Sequence, residues 1–483
     1  MIDRVARHRA VLAVVLLAGA ALLLPGCQRA AKQPNILIVV LDTVRRDAAG
    51  WPTAATPPEL TRAVLTPNVA ALAGRGIAWR NAWSAAPWTV PSHASLFTGL
   101  LPSGHGCNGL RPRLNANLPT LAGRLGDAGY ETAAFFSNPW LADRSSWLLR
   151  GFQLRQEASI GGLTRMMVGE AAHDQGGAAS AAGFRKWLLG RDPERPFLAF
   201  VNLLEAHLPY APLPGDLAVA APGLRADGGI PIGWGHEYNA GLLDDAAVDW
   251  PLVRSCYAGD VVAADRLFGL LLASLQDAGL DDETIVVVTS DHGENLGDHR
   301  LFEHQFSVHE TLLAVPLVIA GPGIGPGGSV HAEPVMLTDL FATVLEFAGL
   351  PADTAPPGSR SLFAGAAPSG RPLVGEYEGP SEGLVNMLAT INPQLDAARL
   401  RPARRTVRAG DLRLSQASDG SLALHDMAAD PAQARDLAPA RPDEVRRLRV
   451  LLDALAGVAP GAVPAGKLDE ATRRQLESLG YVH

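Results

Sequence analysis

Hydrophobic positions along this chain fall into two recurring patterns. Short apolar runs rich in β-branched residues occur at 35–41 (NILIVVL), 131–138 (ETAAFFSN), 196–204 (PFLAFVNLL), 283–291 (ETIVVVTSD) and 315–321 (VPLVIAG). Runs without polar alternation belong to strands covered on both faces, as in the interior of a mostly parallel sheet. Helix-period patterns lie between them at 68–76, 118–129, 258–279 and 338–349. Gly129, Gly279 and Gly349 each follow the last periodic apolar residue, where a left-handed helix cap needs glycine. Strand and helix alternate, so the chain reads as α/β, with a mostly parallel central sheet sandwiched by helices.

The texture changes beyond about residue 385. RTVRAGDLRLSQ and SLALHDM read as short strands, and PDEVRRLRVLLDALAG as an amphipathic helix. The expected division is a catalytic α/β domain over 35–385 and a small α+β subdomain, an antiparallel sheet plus helix, over 386–483. GPGIGPGG (321–328) is a turn-rich loop whose prolines argue against a dinucleotide-binding loop.

The amino end has a different logic. Arg4, Arg7 and Arg9 precede an apolar run from Val11 to Leu24, then Pro25, Gly26 and Cys27. The run is shorter than a comfortable membrane span and reads as an export signal. Gly26 before Cys27 resembles a bacterial lipoprotein cleavage box, giving a signal over 1–27 and a polar linker over 28–34. An uncleaved signal anchor is the alternative. Either places the body of the protein outside the cytoplasm, on the cell envelope, with a membrane attachment at its amino end. Cys107 and Cys256 remain, as one disulfide or as two buried thiols.

The 483 residues are 47% hydrophobic and 19% charged, within the globular range, and suffice for one large α/β unit with a smaller companion. A net charge of -8 and the absence of a basic run in the body of the chain argue against nucleic-acid binding. An anionic substrate then needs a local cluster of cations or a metal.

Open parallel sheets place their chemistry at the carboxyl ends of the strands. Asp42 ends the first apolar run, and Asp291 and His292 end another. Two carboxylates and an imidazole at one sheet edge suit a divalent cation, although a strand-end aspartate is also an ordinary turn residue. Glu205 and His207 follow the run 196–204, and His304 follows the Asp-His pair by a loop; together they form a donor set for a second ion. In PWTVPSHASLFTG (87–99), Pro91 fits the first turn of a helix, which places Thr89 at the helix entrance. There it faces free backbone N–H groups and suits an anionic oxygen, or it is simply an N-cap.

Several segments together resemble the sulfatase family of the alkaline phosphatase superfamily. They are NILIVVLDTVRRD, LTPNVAALAGRGIAWRNAW, TVPSHASLFTGLLPSGHG, TIVVVTSDHGE, VPLVIAGPG and the terminal LALHDMAADPAQARDLA. The resemblance runs from about residue 34 to the end, and 140–195 and 210–250 add nothing to it. It implies that Asp42, Asp291 and His292 are metal ligands and that Thr89 holds the nucleophile position beside the metal. It also implies that His207, before Pro-Tyr, touches the substrate anion. His93 and His105 are placed near the same pocket, with the alternative that His105, in PSGHG, simply pins a turn.

Three departures from the family bear on the chemistry. Sulfatases carry a cysteine or serine that becomes formylglycine where this chain has Thr89, and usually an arginine where it has His93. Thr43 also replaces the second aspartate of the usual pair. Formylglycine is therefore not expected. A formylglycine hydrate expels sulfate by collapsing to its aldehyde, whereas a threonine ester has no such exit. Threonine is more natural in phosphoryl transfer, where a bound cation lowers the hydroxyl pKa.

The expectation is a metal-dependent hydrolase of an anionic ester, preferably a phosphodiester, carried by a glycan, lipid or small molecule. The cation is Ca, Mn or Zn, with one ion expected and two possible. Alternatives are a sulfuric ester hydrolase without formylglycine, a phosphoethanolamine- or glycerophosphate-type transferase, and a non-catalytic lipoprotein that binds anionic glycans.

Overall fold

The computed structural model describes residues 33–62, 64–158, 174–226, 229–365 and 371–455. The chain divides into Met1–Gln33 and Pro34–His483, and the second unit holds every strand and helix named here. The signal and lipobox expected over 1–27, and most of the linker, lie outside the described residues.

Nine strands form the main sheet. They are β1 (Asn35–Leu41), β2 (Ile77–Trp83), β3 (Glu131–Phe136), β4 (Leu154–Glu157), β5 (Phe197–Leu203), β6 (Thr284–Thr289), β9 (Ala314–Val315), β10 (Leu317–Ala320) and β11 (Ser329–Met336). Between them in the chain, β7 (Asn295–Leu296) and β8 (Phe302–Glu303) pair with each other in the loop after β6. The order is β11-β2-β10-β6-β1-β5-β3-β4, with β9 beside β2. β1 pairs in parallel with β5 and β6, and β3 in parallel with β4 and β5; β10 runs antiparallel to both its neighbours.

The five apolar runs all become strands. The last one divides at Pro316, which has no N–H to give to a ladder, into β9 and β10. β2, β4 and β11 lack an unbroken apolar run because each exposes part of its length.

β1 shows why the run has no polar alternation. All seven of its residues are buried. Ile36, Ile38 and Val40 enter the core on one face of the sheet, and Leu37, Val39 and Leu41 the core on the other. Each such side chain contributes about 1.5–3 kcal/mol of transfer free energy, before the entropy of ordering it. Val40 lies opposite Asn202 on one side and Thr289 on the other. Two residues further along β1 and β6, Asp42 and Asp291 therefore emerge level with each other.

Helices cover both faces. Trp250–Asp277 is longer than the pattern over 258–279 indicates, because the Asp249 side chain accepts from Leu252 N and Pro251 fits the first turn. Helix Pro67–Gly74 receives no side-chain cap from Thr66. Asp265, on the long helix, caps it instead: its carboxylate accepts from Asn68 N and Val69 N, each at 2.9 Å. Gly99, Gly129, Gly279 and Gly349 all have positive φ at helix ends.

The second sheet is antiparallel, in the order β12 (Leu373–Tyr377), β13 (Arg404–Ala409), β14 (Leu412–Ala417) and β15 (Leu422–Asp426). Helix Pro442–Leu455 joins it through Leu448 and Leu452, which share one core with Val407, Leu414 and Trp79 of the main sheet. A boundary at residue 386 would separate β12 from its partner β13. The small sheet begins at Leu373, and its first hairpin encloses the helix Glu382–Ile391.

Both cysteines are buried free thiols. Cys107 belongs to the core on one face of the main sheet and Cys256 to the core on the other, so the sheet stands between them. Of the two readings open in the sequence, this is the pair of buried thiols.

Candidate active site

The carboxyl ends of β1, β3 and β6 meet around Asp42. Its Oδ2 accepts from Asn138 Nδ2, just beyond β3, and from Asn202 Nδ2, near the end of β5, both at 2.9 Å. Asp291 Oδ1 accepts from His292 N at 3.0 Å and Thr43 N at 3.3 Å. Each carboxylate thus has one oxygen anchored and one left over. Asp42 Oδ1, Asp291 Oδ2 and His292 Nε2 are buried without a hydrogen-bond partner among the described residues.

These three orphan atoms converge. His292 Nε2 lies 3.3 Å from Asp291 Oδ2 and 4.0 Å from Asp42 Oδ1, and the donor set spans no more than 4.8 Å. His292 Nδ1 donates to Gly293 O at 2.9 Å, which leaves Nε2 as a lone-pair donor. Buried polar atoms without partners are rare, and two oxygens and one imidazole nitrogen facing a common point suit a divalent cation. The residues fit a metal.

The electrostatics carry the same requirement. Burial pushes Asp291 well above the ordinary carboxylate range, and the negative charge of Asp42 adds to it. Burial acts on Asp42 too, but His292, His207, His93 and the Asn202 hydrogen bond outweigh it and hold Asp42 below its ordinary value. Burial, with His304 nearby, drives His292 well below its usual value, so its imidazole is neutral. No lysine or arginine among the described residues pairs with either carboxylate, and every ion pair they make is to a histidine.

Thr43 holds φ at 59°, an unusual position for a β-branched residue. Its hydroxyl donates to Asp42 O at 2.7 Å, its N–H to Asp291, and its carbonyl accepts from Tyr257 Oη at 2.9 Å. Thr43 therefore supports Asp291 through its backbone N–H, and its hydroxyl is spent on the Asp42 carbonyl.

Helix Thr89–Thr98 starts at the same edge. Trp88 takes the N-cap position and Thr89 is the first helical residue, so Thr89 is not the cap. Asn138 Nδ2 lies 3.3 Å from Thr89 Oγ1, and Thr89 is fully buried. One turn on, His93 Nδ1 lies 2.9 Å from Thr89 O and 3.5 Å from Asp291 Oδ2, while its Nε2 has no described hydrogen-bond partner. Burial lowers the His93 pKa, Asp42 and the Thr89 carbonyl opposing.

The other predicted residues separate into two groups. His304 packs against His292 with ring centroids 4.5 Å apart and against His207 at 5.0 Å, so these three imidazoles form one cluster. His207 Nδ1 donates to Leu208 O, and His304 Nδ1 lies 3.1 Å from Glu294 Oε1. Burial pushes Glu294 up to about 8, His207 opposing.

Glu205 and His105 sit elsewhere. Glu205 Oε1 accepts from Gly177 N at 2.8 Å, at the start of helix Gly177–Gly190, where its carboxylate meets unpaired N–H groups and the positive dipole end. A Cβ on Gly177 would lie 2.3 Å from that oxygen. The carboxylate expected beside His207 and His304 is thus supplied by Glu294, not Glu205. His105 has both ring nitrogens engaged, Nδ1 accepting from Cys107 N at 3.0 Å and Nε2 lying 3.1 Å from Ser95 Oγ. It pins the turn after the Thr89 helix and has no nitrogen left for a substrate.

Asn138, Asn202 and Glu294 complete the site, and the motifs of the sequence do not single them out. Each carries a signal all the same: an asparagine inside or closing an apolar run, and an acid two residues beyond His292.

A buried Asp-Asp-His donor group beside a helix-borne hydroxyl, at the carboxyl edge of an α/β sheet, suits the chemistry of an ester hydrolase. Comparison with family models matches Sulfatase over residues 34–350, and the chain belongs to that family. It is similar to an arylsulfatase of Clostridium perfringens, 25% identical over 370 residues covering 65% of this chain and 75% of that one. It is also similar to a choline-sulfatase of Rhizobium meliloti, 26% identical over 363 residues covering 66% and 68%. Among solved structures, the phosphonate monoester hydrolase of Agrobacterium radiobacter shares the fold, with a TM-score of 0.67, 20% identity, and coverage of 87% of this chain and 95% of that one.

Proposed function

We propose that this sulfatase-family hydrolase is an exported, metal-dependent phosphodiesterase with Thr89 as its nucleophile. The observation that carries the reading is Thr89 itself, a hydroxyl at a helix entrance tied through Asn138 to the Asp42 carboxylate. A cation held by Asp42, Asp291 and His292 would lower the hydroxyl pKa and neutralise the non-bridging oxygens of the substrate.

Thr89 Oγ forms a bond to phosphorus as the bond from phosphorus to the leaving oxygen breaks. The threonine proton passes by way of the site histidines, His207 or His93, to the departing alkoxide. Water then attacks phosphorus and restores the threonine hydroxyl. His93, buried and neutral, supplies a ring where a cationic arginine would otherwise stand. His207 and His304, steadied by Glu294, extend the donor set toward a second ion.

Purified protein assayed with aryl phosphodiester, phosphate monoester and sulfate ester substrates tests this. The diester is expected to turn over fastest, and Thr89→Ala to lower kcat by about 10³-fold or more. Undiminished turnover in Thr89→Ala removes the nucleophile assignment.

A sulfate ester hydrolase acting without formylglycine is the second reading, favoured by the relatives named as an arylsulfatase and a choline-sulfatase. Dominant sulfate release would establish it over the first. The arginines, apolar run and Gly26-Cys27 of the amino end support export and lipid attachment, which radiolabelled fatty acid and a Cys27→Ser variant would test.

A further inference from the structure

A cavity of 590 Å³ opens beside the turn that follows β1, and none of Asp42, Thr89, Asp291 or His292 lines it. Its walls include Arg46 and Trp51 from that turn, Arg80 from β2, Glu310, and Arg408 from β13. Its wall draws on both cores of the sheet: Trp51 packs against one, and Ala314 belongs to the other.

Charges in this region do not balance. Glu310 serves three guanidinium groups at once: Arg408 Nη1 at 3.1 Å, Arg46 Nη1 at 3.6 Å and Arg413 Nη1 at 3.8 Å. The acids Asp47 and Asp298 are both engaged by Arg45. Arg46, which lines the cavity, has a buried Nε without a hydrogen-bond partner among the described residues; Arg413 Nη2 also has none, but Arg413 is not part of the cavity wall. The exposed Arg80 makes no ion pair within the described residues. Burial, with Arg408 nearby, pushes Arg413 down to about 10 against the pull of Glu310.

Guanidinium groups left with open donors favour planar, multidentate acceptors. The volume is that of a small-molecule site, and Trp51 offers an apolar face beside the cations. We propose that this cavity is a second, non-catalytic binding site for an oxyanion, a sulfate or phosphate group free or carried on a molecule of about monosaccharide size. Arg46 and Arg408 hold the anion, Arg80 stands at the mouth, and Trp51 meets the carrier.

Crystals of the full, metal-loaded chain soaked in selenate test the location, because selenate matches sulfate in shape and is found by its anomalous signal. A peak between Arg46 and Arg408 is expected in the wild type and in Thr89→Ala. Signal confined to the Asp42–Asp291 centre overturns the proposal. Calorimetric titration with inorganic sulfate and with glucose 6-sulfate at constant ionic strength gives the affinity and tells the free anion from the carried one. Arg408→Gln should weaken binding at the cavity about tenfold, and affinity identical to the wild type for both probes overturns the proposal. Arg80→Glu, on an exposed side chain, provides the same comparison if Arg408→Gln does not fold. The outcome is separate from Thr89 turnover, so the catalytic assignment and this one fail independently.

Discussion

The side-chain amide of Asn138 lies 3.3 Å from Thr89 Oγ1 while it donates to Asp42 Oδ2 at 2.9 Å. One group from the end of β3 therefore sets the direction of both the hydroxyl and the carboxylate. Asn138→Ala is expected to lower kcat about 10- to 100-fold with a smaller change in KM. Asn138→Asp should do worse, because it removes the donor and adds a third carboxylate to a buried pair. Steady-state kinetics with a diester substrate would test this, and an unchanged kcat in both variants would exclude a positioning role.

Metal capture should be coupled to protons. Burial and the charge of Asp42 hold Asp291 well above the ordinary carboxylate range when no cation is bound, so the pair retains a proton there. A cation must displace it, and affinity must rise with pH through the range in which Asp291 titrates. His292, already neutral, contributes no such dependence near neutrality. Calorimetry in buffers of different ionisation enthalpy should register about one proton released per ion. Chelation should lower stability by about 2.7 kcal/mol relative to protein held at a hundredfold excess over Kd.

Glu205 separates two structural assignments by its own titration. Burial, with Asp174 adding to it, raises Glu205 to about 7. A raised folded-state pKa gives a stabilising contribution that is complete below the unfolded value near 4.5 and lost as pH rises through about 7. Glu205→Gln removes that loss while keeping an acceptor for Gly177 N. Urea unfolding should find the variant more stable than wild type at pH 8 by up to about 3 kcal/mol, with little difference at about pH 4.5. Its metal content should be unchanged, whereas a ligand role would lower it.

The cap that Asp265 supplies to helix Pro67–Gly74 has a plain energetic consequence. Asp265→Ala strips two backbone N–H groups and the Asn68 side chain of their acceptor. A loss of about 1–2 kcal/mol in urea unfolding is expected, with kinetic constants little changed. A difference below a few tenths of a kcal/mol would mean that water takes over the cap.

Much of this molecule is visible in the sequence where burial acts on both faces of a strand. β1, β5 and β6 have no polar alternation because each face meets its own core, and Asp42 and Asp291 are marked as the first charges after such runs. The pattern gives no information about neighbours across the sheet. Asn138 and Asn202 reach Asp42 only through the pairing of β1 with β5 and β5 with β3. The same gap explains Glu205 and Glu294. Both acids stand two residues from a site histidine, and only the path of each loop decides that one caps a helix while the other meets His304. His105 is of this kind too, since its partners Ser95 and Cys107 are local and could only be seen once the turn was built.

The level emergence of Asp42 and Asp291 has a consequence for how the protein comes into being. Thr43 and Asp291 meet across 248 positions of sequence, among the slowest kind of contact for a chain to close. A slip of one residue between β1 and β6 would turn the donor atoms to opposite sides of the sheet. The ion pocket is consequently completed only when distant halves of the chain have joined in the correct alignment. A growing or misaligned chain has no means of holding the cation, so the onset of metal retention during refolding is a clock for the closing of the sheet.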